Sequence, residues 1–570
     1  MCGISGILSF DRKYNRKDIL KMNEILYHRG PDDEGTYFDD FIGLGHRRLS
    51  IIDLSKAGHQ PMADESKRYW IVFNGEIYNY LEIREELIEK GYKFFSNSDT
   101  EVIIKSYIEW GTYCLNKFNG MWAFAIWDNE KKELFCARDR FGVKPFYYYY
   151  KDGYFVFASE IKAILEAESV PREPNYTRIL QYLGNYPLLE NQSTFFKNIF
   201  QLPSSHFALI NAKGIAIERY WDIEKKNIEG VDAKEKFLEL FKDSIRLRLR
   251  SDVPVGTCLS GGLDSSSIVC VLNKMIDPSK QKTFSSCFED KRFDEREYIE
   301  EVIKNTSVTP FYTFPDINEL YPKLEKIVWH HDEPFESTSI MAQWCVMELA
   351  KNNGVIVILD GQGSDEILAG YHPYKWYLFL DSIRNKNIFE IIKNYKYLFE
   401  AIQSYRKSNN KSFLDFIKQV GKSKFRFTKE KSSYVNRYIN PEFVKTNINE
   451  LTLSTSLRFN SKLENKLYQD VYFSSLQKLL QYEDRNSMAF SIESRVPFLD
   501  YRLAEYVFSI PVKYKINKGW TKYILRKSMK GILPEKIRCR KDKMGFVTPQ
   551  ELWLKEIENE VREILITSFS

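Results

Sequence analysis

The stretch that most restricts how this 570-residue chain can fold is Ser260-Gly261-Gly262-Leu263-Asp264-Ser265-Ser266. An apolar run, 253–259, leads into it, and an apolar-periodic stretch, 267–276, leaves it. That order predicts a strand, a tight glycine turn and the start of a helix. Two glycines let the backbone approach a bound group closely, and amides at a helix start point at an anion. The turn is therefore expected to cradle phosphates. No lysine follows the second glycine, which separates it from the GxxxxGK[ST] loop and from transfer of a terminal phosphoryl group. Asp264 adds a carboxylate beside the phosphates, as expected where Mg²⁺ bridges them.

A second turn repeats the pattern. The apolar stretch 354–359 runs into Asp360-Gly361-Gln362-Gly363-Ser364-Asp365-Glu366. Asp264 and Asp365 are expected to hold a Mg²⁺–pyrophosphate group from two sides. A strand expected at 283–288 would carry the adenine pocket at its end, following the crevice rule for open α/β sheets. The candidate ATP contacts are Leu259, Ser260, Gly261, Gly262, Asp264, Ser265, Ser286, Asp360 and Gly361.

Bulk properties narrow the classes. The length asks for about two to four domains. The net charge of +5, with no basic run interleaved with aromatics, leaves no footprint for nucleic acid. Eight cysteines at irregular spacing, none in a CxxC pair, fit reduced thiols in the cytoplasm without a structural zinc site. The apolar start lacks a basic lead and is cut short by Asp11-Arg12-Lys13, so it is no signal peptide. The other apolar runs are too short to span a bilayer. His330 and His331 are adjacent and point apart, a poor start for a metal site. A helical pattern over 237–249 carries or adjoins Arg246, Arg248 and Arg250, which either form a solvated face or gather phosphates.

In the N-terminal third, Cys2 directly follows Met1. Removal of Met1 would leave a thiol and an α-amine on one residue, a nucleophile with its own base. Four short stretches surround this expectation: His28-Arg29-Gly30-Pro31-Asp32, residues 46–53, Asn74-Gly75-Glu76-Ile77-Tyr78-Asn79, and Ser98-Asp99-Thr100-Glu101. An apolar strand at 69–73 would end in an Asn-Gly turn, presenting a side-chain amide and a backbone N–H to an oxyanion. The planar fork of Arg48 suits a carboxylate, and Asp99 suits an ammonium. Together these describe a pocket for an α-amino acid beside a thiol.

Residues 1–7 with these four stretches resemble the glutaminase domain of the class II glutamine amidotransferases. The stretches 120–125, 138–145 and 157–162 extend the similarity to the subset fused to a synthetase, the asparagine synthetase B family. The segments 482–489, 493–500, 522–526 and 543–546 continue it toward the end of the chain. The resemblance implies an N-terminal nucleophile αββα sandwich of α+β type over 2–212, then a connecting segment over 213–236. An α/β parallel-sheet PP-loop ATP-pyrophosphatase domain is implied over 237–560, mostly helical in its C-terminal part, with a helical insertion at about 373–449. It implies Cys2 as nucleophile, Asn74 and Gly75 as oxyanion hole, and Lys522 beside the pyrophosphate. Glutamine contacts are implied for Arg48, Leu49, Ser50, Ile51, Ile52, Asn74, Gly75, Glu76 and Asp99.

The implied activity is glutamine- and ATP-dependent amidation of a carboxylate through an acyl-AMP, with Mg²⁺ as cofactor and aspartate as the first-choice acceptor. The implied partners are small molecules, without nucleic acid or membrane, and a homodimer is the one assembly left open. Two positions depart from the family pattern. Gln362 stands where asparagine synthetases usually have Glu, and Asp360 stands where a small residue is common. An amide cannot act as a base, although it still donates and accepts hydrogen bonds. Gln362 is thus the acceptor-site candidate that sets the alternative: a carboxylate on a sugar, a polysaccharide precursor or a natural product. Asp264, Asp365 and Lys522 argue against an amidohydrolase that has lost its synthetase. The near-neutral charge argues against a tRNA-modifying enzyme.

Overall fold

The computed structural model describes residues 1–11, 14–184, 192–226, 228, 232–386, 388–409, 439–447, 457–541, 545 and 547–567. Much of the insertion expected at 373–449 lies outside the described residues, as do Lys543, Met544 and Phe546 and part of the expected connecting segment.

Two six-stranded antiparallel sheets build the N-terminal part. In spatial order the first is Ile199–Gln201, Tyr147–Lys151, Tyr154–Ala158, Gly3–Ser9, Ile42–Arg48 and Asp33–Phe38. The second is Gly214–Arg219, His206–Asn211, Glu133–Arg138, Gly120–Asp128, Tyr69–Ile77 and Met62–Ala63. Their inner faces meet across Ile4, Leu44, Val72, Ala125 and Trp127. The helix Arg16–Ile25 covers the outer face of the first sheet through Ile19 and Met22. The helix Asp99–Trp110 covers the second through Val102 and Ile103, against Phe124 and Phe135. With both faces of each sheet covered, strands such as Gly3–Ser9 are buried along their whole length rather than in alternation. This is the αββα sandwich that the sequence led us to expect.

The C-terminal part is organised on a five-stranded parallel sheet, in the order Thr309–Thr313, Lys282–Ser286, Val255–Cys258, Val357–Leu359, Glu493–Arg495. The chain enters at the central strand, Val255–Cys258, and builds outward first to one side and then to the other. The order therefore reverses between Val255–Cys258 and Val357–Leu359, and a crevice opens at their C-terminal ends. Both glycine turns leave from those two ends. Helices dominate the rest of this part, including Lys462–Tyr472, Ser475–Met488 and Tyr501–Ser509. No helix among the described residues is long and apolar enough to cross a membrane.

Four expectations need correction. The strand at 69–73 continues to Ile77, so Asn74 and Gly75 lie inside a strand, paired with Ala123 and Trp122, and not in a turn. Gly75 permits this: its φ is 155°, and a Cβ there would sit 2.1 Å from the Met121 carbonyl oxygen. The helix expected from 267 begins at Leu263, directly after the glycines. Gly214–Arg219, expected in the connecting segment, is the outer strand of the second sheet, because Ile215 and Ile217 still pack on the sandwich core. The three arginines gather no phosphates, and only the exposed Arg246 stands on a solvated face. Arg246 pairs with Asp243, Arg248 is buried on Ser244 and Asp500, and Arg250 reaches Glu82 and the Tyr78 carbonyl of the N-terminal part.

Candidate active site

The thiol pocket lies where the first strand begins. The Cys2 N–H donates to Asn74 Oδ1 at 3.0 Å, the Cys2 carbonyl accepts from Arg29 Nε at 3.1 Å, and Sγ lies 4.0 Å from the Leu49 carbonyl oxygen. Burial pushes the Cys2 thiol above its ordinary pKa. Asn74 uses its oxygen on Cys2, and its Nδ2 is buried without a partner among the described residues. A buried amide donor left open beside a thiol is what an oxyanion requires. Glu76 Oε2 is likewise buried and unpartnered. Asp99 Oδ2 accepts from the Ile77 N–H at 2.9 Å. Burial raises its carboxyl to about 7, and burial with Glu493 and Asp99 nearby raises Glu76 well above the usual range. Arg48 spends both terminal nitrogens on carbonyls of its own loop, those of Ser55, Ile52 and Asp53. Leu49, Ile51 and Ile52 pack together against Val357 of the parallel sheet, while the Ser50 N–H is held by Asp32 at 2.8 Å.

The second centre is a cavity of about 280 Å³ at the crevice of the parallel sheet. Of the nine predicted ATP contacts, all but Gly261 line it, together with Gln362, Asp365 and Lys522. Gly261 turns its carbonyl to Arg540 Nη1 at 3.3 Å instead. The serines knit the first turn, with Ser265 Oγ 3.2 Å from the Ser260 N–H and 3.1 Å from Ser260 Oγ. Ser286 Oγ is buried and unpartnered among the described residues. Lys522 Nζ joins the two turns, 2.5 Å from Asp264 Oδ2 and 2.7 Å from Asp365 Oδ1. Burial alone would favour the neutral amine, but the two aspartates outweigh it and raise the lysine pKa. Two details show how tightly this bridge is built. Lys522 holds φ at 50°, a left-handed conformation that costs a non-glycine residue about 1–3 kcal/mol. A Cβ on Gly370 would lie 1.8 Å from Asp365 Oδ1 and 2.2 Å from Lys522 Cε.

One short strand touches both centres. In Glu493–Arg495, side chains alternate between faces. Glu493 Oε2 lies 3.6 Å from the Met1 amino nitrogen, and Arg495 lies 3.5 Å from Glu76. Ser494 between them donates to Glu483 Oε1 at 2.6 Å, and the Arg495 carbonyl accepts from the Asp360 N–H at 2.9 Å. A second link runs through Arg29, whose guanidinium holds Asp484 with two bonds of 2.9 and 3.1 Å, and Glu160 at 2.7 Å.

Residues 1–221 match a glutamine amidotransferase domain family, and residues 236–569 match the asparagine synthase family. The chain is 34% identical to asparagine synthetase [glutamine-hydrolyzing] 1 of Bacillus subtilis, over 99% of this chain and 90% of that one. This chain belongs to the glutamine-hydrolysing asparagine synthetase family. Asparagine synthetase [glutamine-hydrolyzing] 3 of Bacillus subtilis is 32% identical over the whole chain and 91% of its own. A fungal relative, amidase chry2 of Gibberella zeae, is 27% identical over 97% of this chain and 90% of its own. As a member of this family, the chain is a glutamine-dependent, ATP-driven amidating enzyme.

Several residues lining the cavity at the parallel sheet escaped sequence reasoning, among them Gln343, Tyr371, Tyr482, Arg526 and Arg540. Arg526 and Arg540 each stand in a basic run (Arg526-Lys527, Arg538-Cys539-Arg540-Lys541), which reads on its own as a solvated face. Burial lowers the Arg526 pKa to about 10.

Proposed function

We propose that the chain converts aspartate to asparagine in two half-reactions, with glutamine as nitrogen donor and an acyl-AMP as intermediate. In the first, Cys2 Sγ attacks the side-chain carbonyl of glutamine and ammonia leaves. Removal of Met1 makes the Cys2 nitrogen, already held by Asn74 Oδ1, the amine that takes up the thiol proton. The open Nδ2 of Asn74 and the backbone at Gly75 receive the oxyanion. Asp99 and Glu76 face the ammonium of the amino acid, and residues 49–52, on the loop that Arg48 braces, wall the pocket.

In the second half-reaction, an acceptor carboxylate oxygen attacks the α-phosphorus of ATP and pyrophosphate departs. The serine-glycine turn at 259–265 cradles the phosphates, Ser286 faces the adenine side, and Lys522 neutralises the leaving charge. Asp264 and Asp365 suit Mg²⁺: two carboxylate oxygens already converge on the single Lys522 ammonium, and oxygen donors beside substrate phosphates are what this cation takes. Bound there, Mg²⁺ supplies charge neutralisation on the pyrophosphate oxygens.

The observation that carries the two-centre reading is the strand Glu493–Arg495, which contacts the thiol pocket on one face and the ATP-side carboxyls on the other. Ammonia is mostly protonated in bulk water, so an enclosed passage between two centres sharing a wall serves the chemistry. Gln362 on the cavity wall favours a second reading, in which the acceptor is a larger carboxylate such as a uronic acid. Pyrophosphate release with ATP and ammonium chloride, measured with aspartate or with glucuronic acid, separates the two. Aspartate-dependent release supports the first reading; release with the uronic acid alone overturns it.

A further inference from the structure

Asp360 and Glu483 are brought together at the edge of the ATP cavity by one short strand: the Asp360 N–H donates to the Arg495 carbonyl at 2.9 Å, and the preceding residue, Ser494, donates to Glu483 Oε1 at 2.6 Å. Asp360 lines the cavity next to Gly361 and Gln362. Glu483 stands behind it on the helix Ser475–Met488 and is 3% exposed. The groups that face the pair are neutral or acidic. Glu483 accepts from Ser494 Oγ at 2.6 Å and from Gln343 Nε2. Asp360 accepts from the Gly361 N–H, with the Cys258 thiol beside it and Asp264 as the nearest further charge. Two carboxyls in contact in a buried site cannot both ionise, so the pair retains one proton. Burial raises both carboxyls, and Glu483, with Asp360 beside it, is raised well above the usual carboxylate range, so the shared proton rests more on Glu483 than on Asp360.

Ammonia attacking an acyl-adenylate must give up a proton. The cavity offers three aspartates, Asp264, Asp360 and Asp365, and no histidine among the described residues. Asp264 and Asp365 are bound to Lys522. Gln362 has an amide that cannot take a proton. Resting on the acyl-AMP reading of the second half-reaction, we infer that Asp360 is the general base of the amidation step, with Glu483 behind it as its positioning residue. The ammonia lone pair forms the C–N bond at the acyl carbon. One N–H proton passes to the Asp360 carboxylate. The C–O bond to the phosphate breaks, and AMP leaves with its electron pair. The products are the amide, AMP and a protonated Asp360.

The test uses the full chain with aspartate, Mg-ATP and ammonium chloride, and measures ATP–pyrophosphate exchange and amide formation separately. D360N, at a residue that also lines the ATP cavity, is expected to lower amide formation by about 10²–10⁴-fold, the range for a positioned base, and to lower exchange by a clearly smaller factor. The double variant D360N/Q362E, which returns a carboxylate to the same wall, recovers part of that loss. E483Q keeps a neutral donor toward Asp360 and holds amide formation within about tenfold. Infrared difference spectra at neutral pH then read the pair without any acceptor: against the bands of the buried Glu76 and Asp99, one protonated-acid carbonyl band is lost in E483Q and persists in D360N. Amide formation unchanged in D360N, or exchange and amide formation falling in equal proportion, overturns the assignment. So does an E483Q spectrum that loses none of the wild-type protonated-acid bands. A wild-type enzyme with no aspartate-dependent exchange sinks the aspartate reading instead, while the infrared comparison still decides the pair.

Discussion

The two centres are both buried, but the first is rich in acids and the second mixes cations and acids in equal number. Around the thiol, Glu76, Asp99 and Glu493 crowd together with Arg495 and the amino terminus as their counterions. Around the glycine turns, Lys522, Arg526 and Arg540 line the cavity with Asp264, Asp360 and Asp365. The acid surplus of the first suits a ligand that brings an ammonium; the second balances three cations against three aspartates, so its cations can meet a polyphosphate while its carboxylates meet a counter-cation. The centres also differ in how complete they are without ligand. The thiol pocket leaves Asn74 Nδ2 and Glu76 Oε2 unpartnered among the described residues, whereas Lys522 already bridges both aspartates of the ATP cavity. A pocket whose polar atoms wait for substrate loses catalysis when one atom is removed. A pocket held by an internal ion bridge loses its architecture as well.

The largest expected effect separates the two. Cys2→Ala reduces glutamine-driven amidation to background and leaves ammonium-driven amidation within about twofold, because the nucleophile serves only the first half-reaction. Lys522→Met lowers both by about 10²–10³-fold, the cost of removing one charge-stabilising group, and leaves glutamine hydrolysis in place. Pyrophosphate release with glutamine or ammonium chloride, beside glutamate release, reads all three. Loss of ammonium-driven turnover in Cys2→Ala would break the division between centres.

Asn74→Ala sharpens the comparison on the thiol side. Its Nδ2 has no ground-state partner, so its removal is expected to cost about 10²–10³-fold in the kcat of glutamine hydrolysis with little change in KM. An equal rise in KM would make Asn74 a binding residue.

The same contrast explains what could be read from the chain beforehand. Each glycine turn succeeds its strand directly, so strand, turn and helix start were legible from one contiguous stretch, and so was the cavity wall at 259–265 apart from Gly261. Asn74 and Gly75 were found by their residue types, while their setting in a strand was hidden, because only the pairing with Trp122 and Ala123 shows that the strand continues. What joins the centres was not legible. Glu493–Arg495 is three residues long, too short for a periodic signal, and its placement depends on pairing with Val357–Leu359 far earlier in the chain. The Asp360–Glu483 contact brings together residues far apart in the chain, and no spacing rule announces it. Arg48 shows the converse: its residue type suggested a carboxylate clamp, yet both its terminal nitrogens support the loop that forms the pocket wall.

The smallest expected effect tests the acid-rich side by pH. Burial raises Asp99 to about 7, from an ordinary value of 3.8. It is therefore protonated below about pH 7 and ionised above. An ammonium ligand needs the ionised form, so the KM for glutamine should rise several-fold as pH falls from about 8 to about 6, and Asp99→Asn should abolish that dependence at a uniformly higher KM. The stability effect runs the other way. A carboxyl whose folded pKa is raised contributes most at low pH, and that contribution is lost as pH rises from about 4 through about 7. Asp99→Asn, which still accepts the Ile77 N–H through its amide oxygen, should melt higher than wild type at pH 8, with the difference closing toward pH 4. A protein that gains thermal stability at alkaline pH while losing glutamine binding would show that the thiol pocket holds its charge for the substrate rather than for the fold. A variant that loses both would place Asp99 with Lys522, among groups whose charge the fold itself requires.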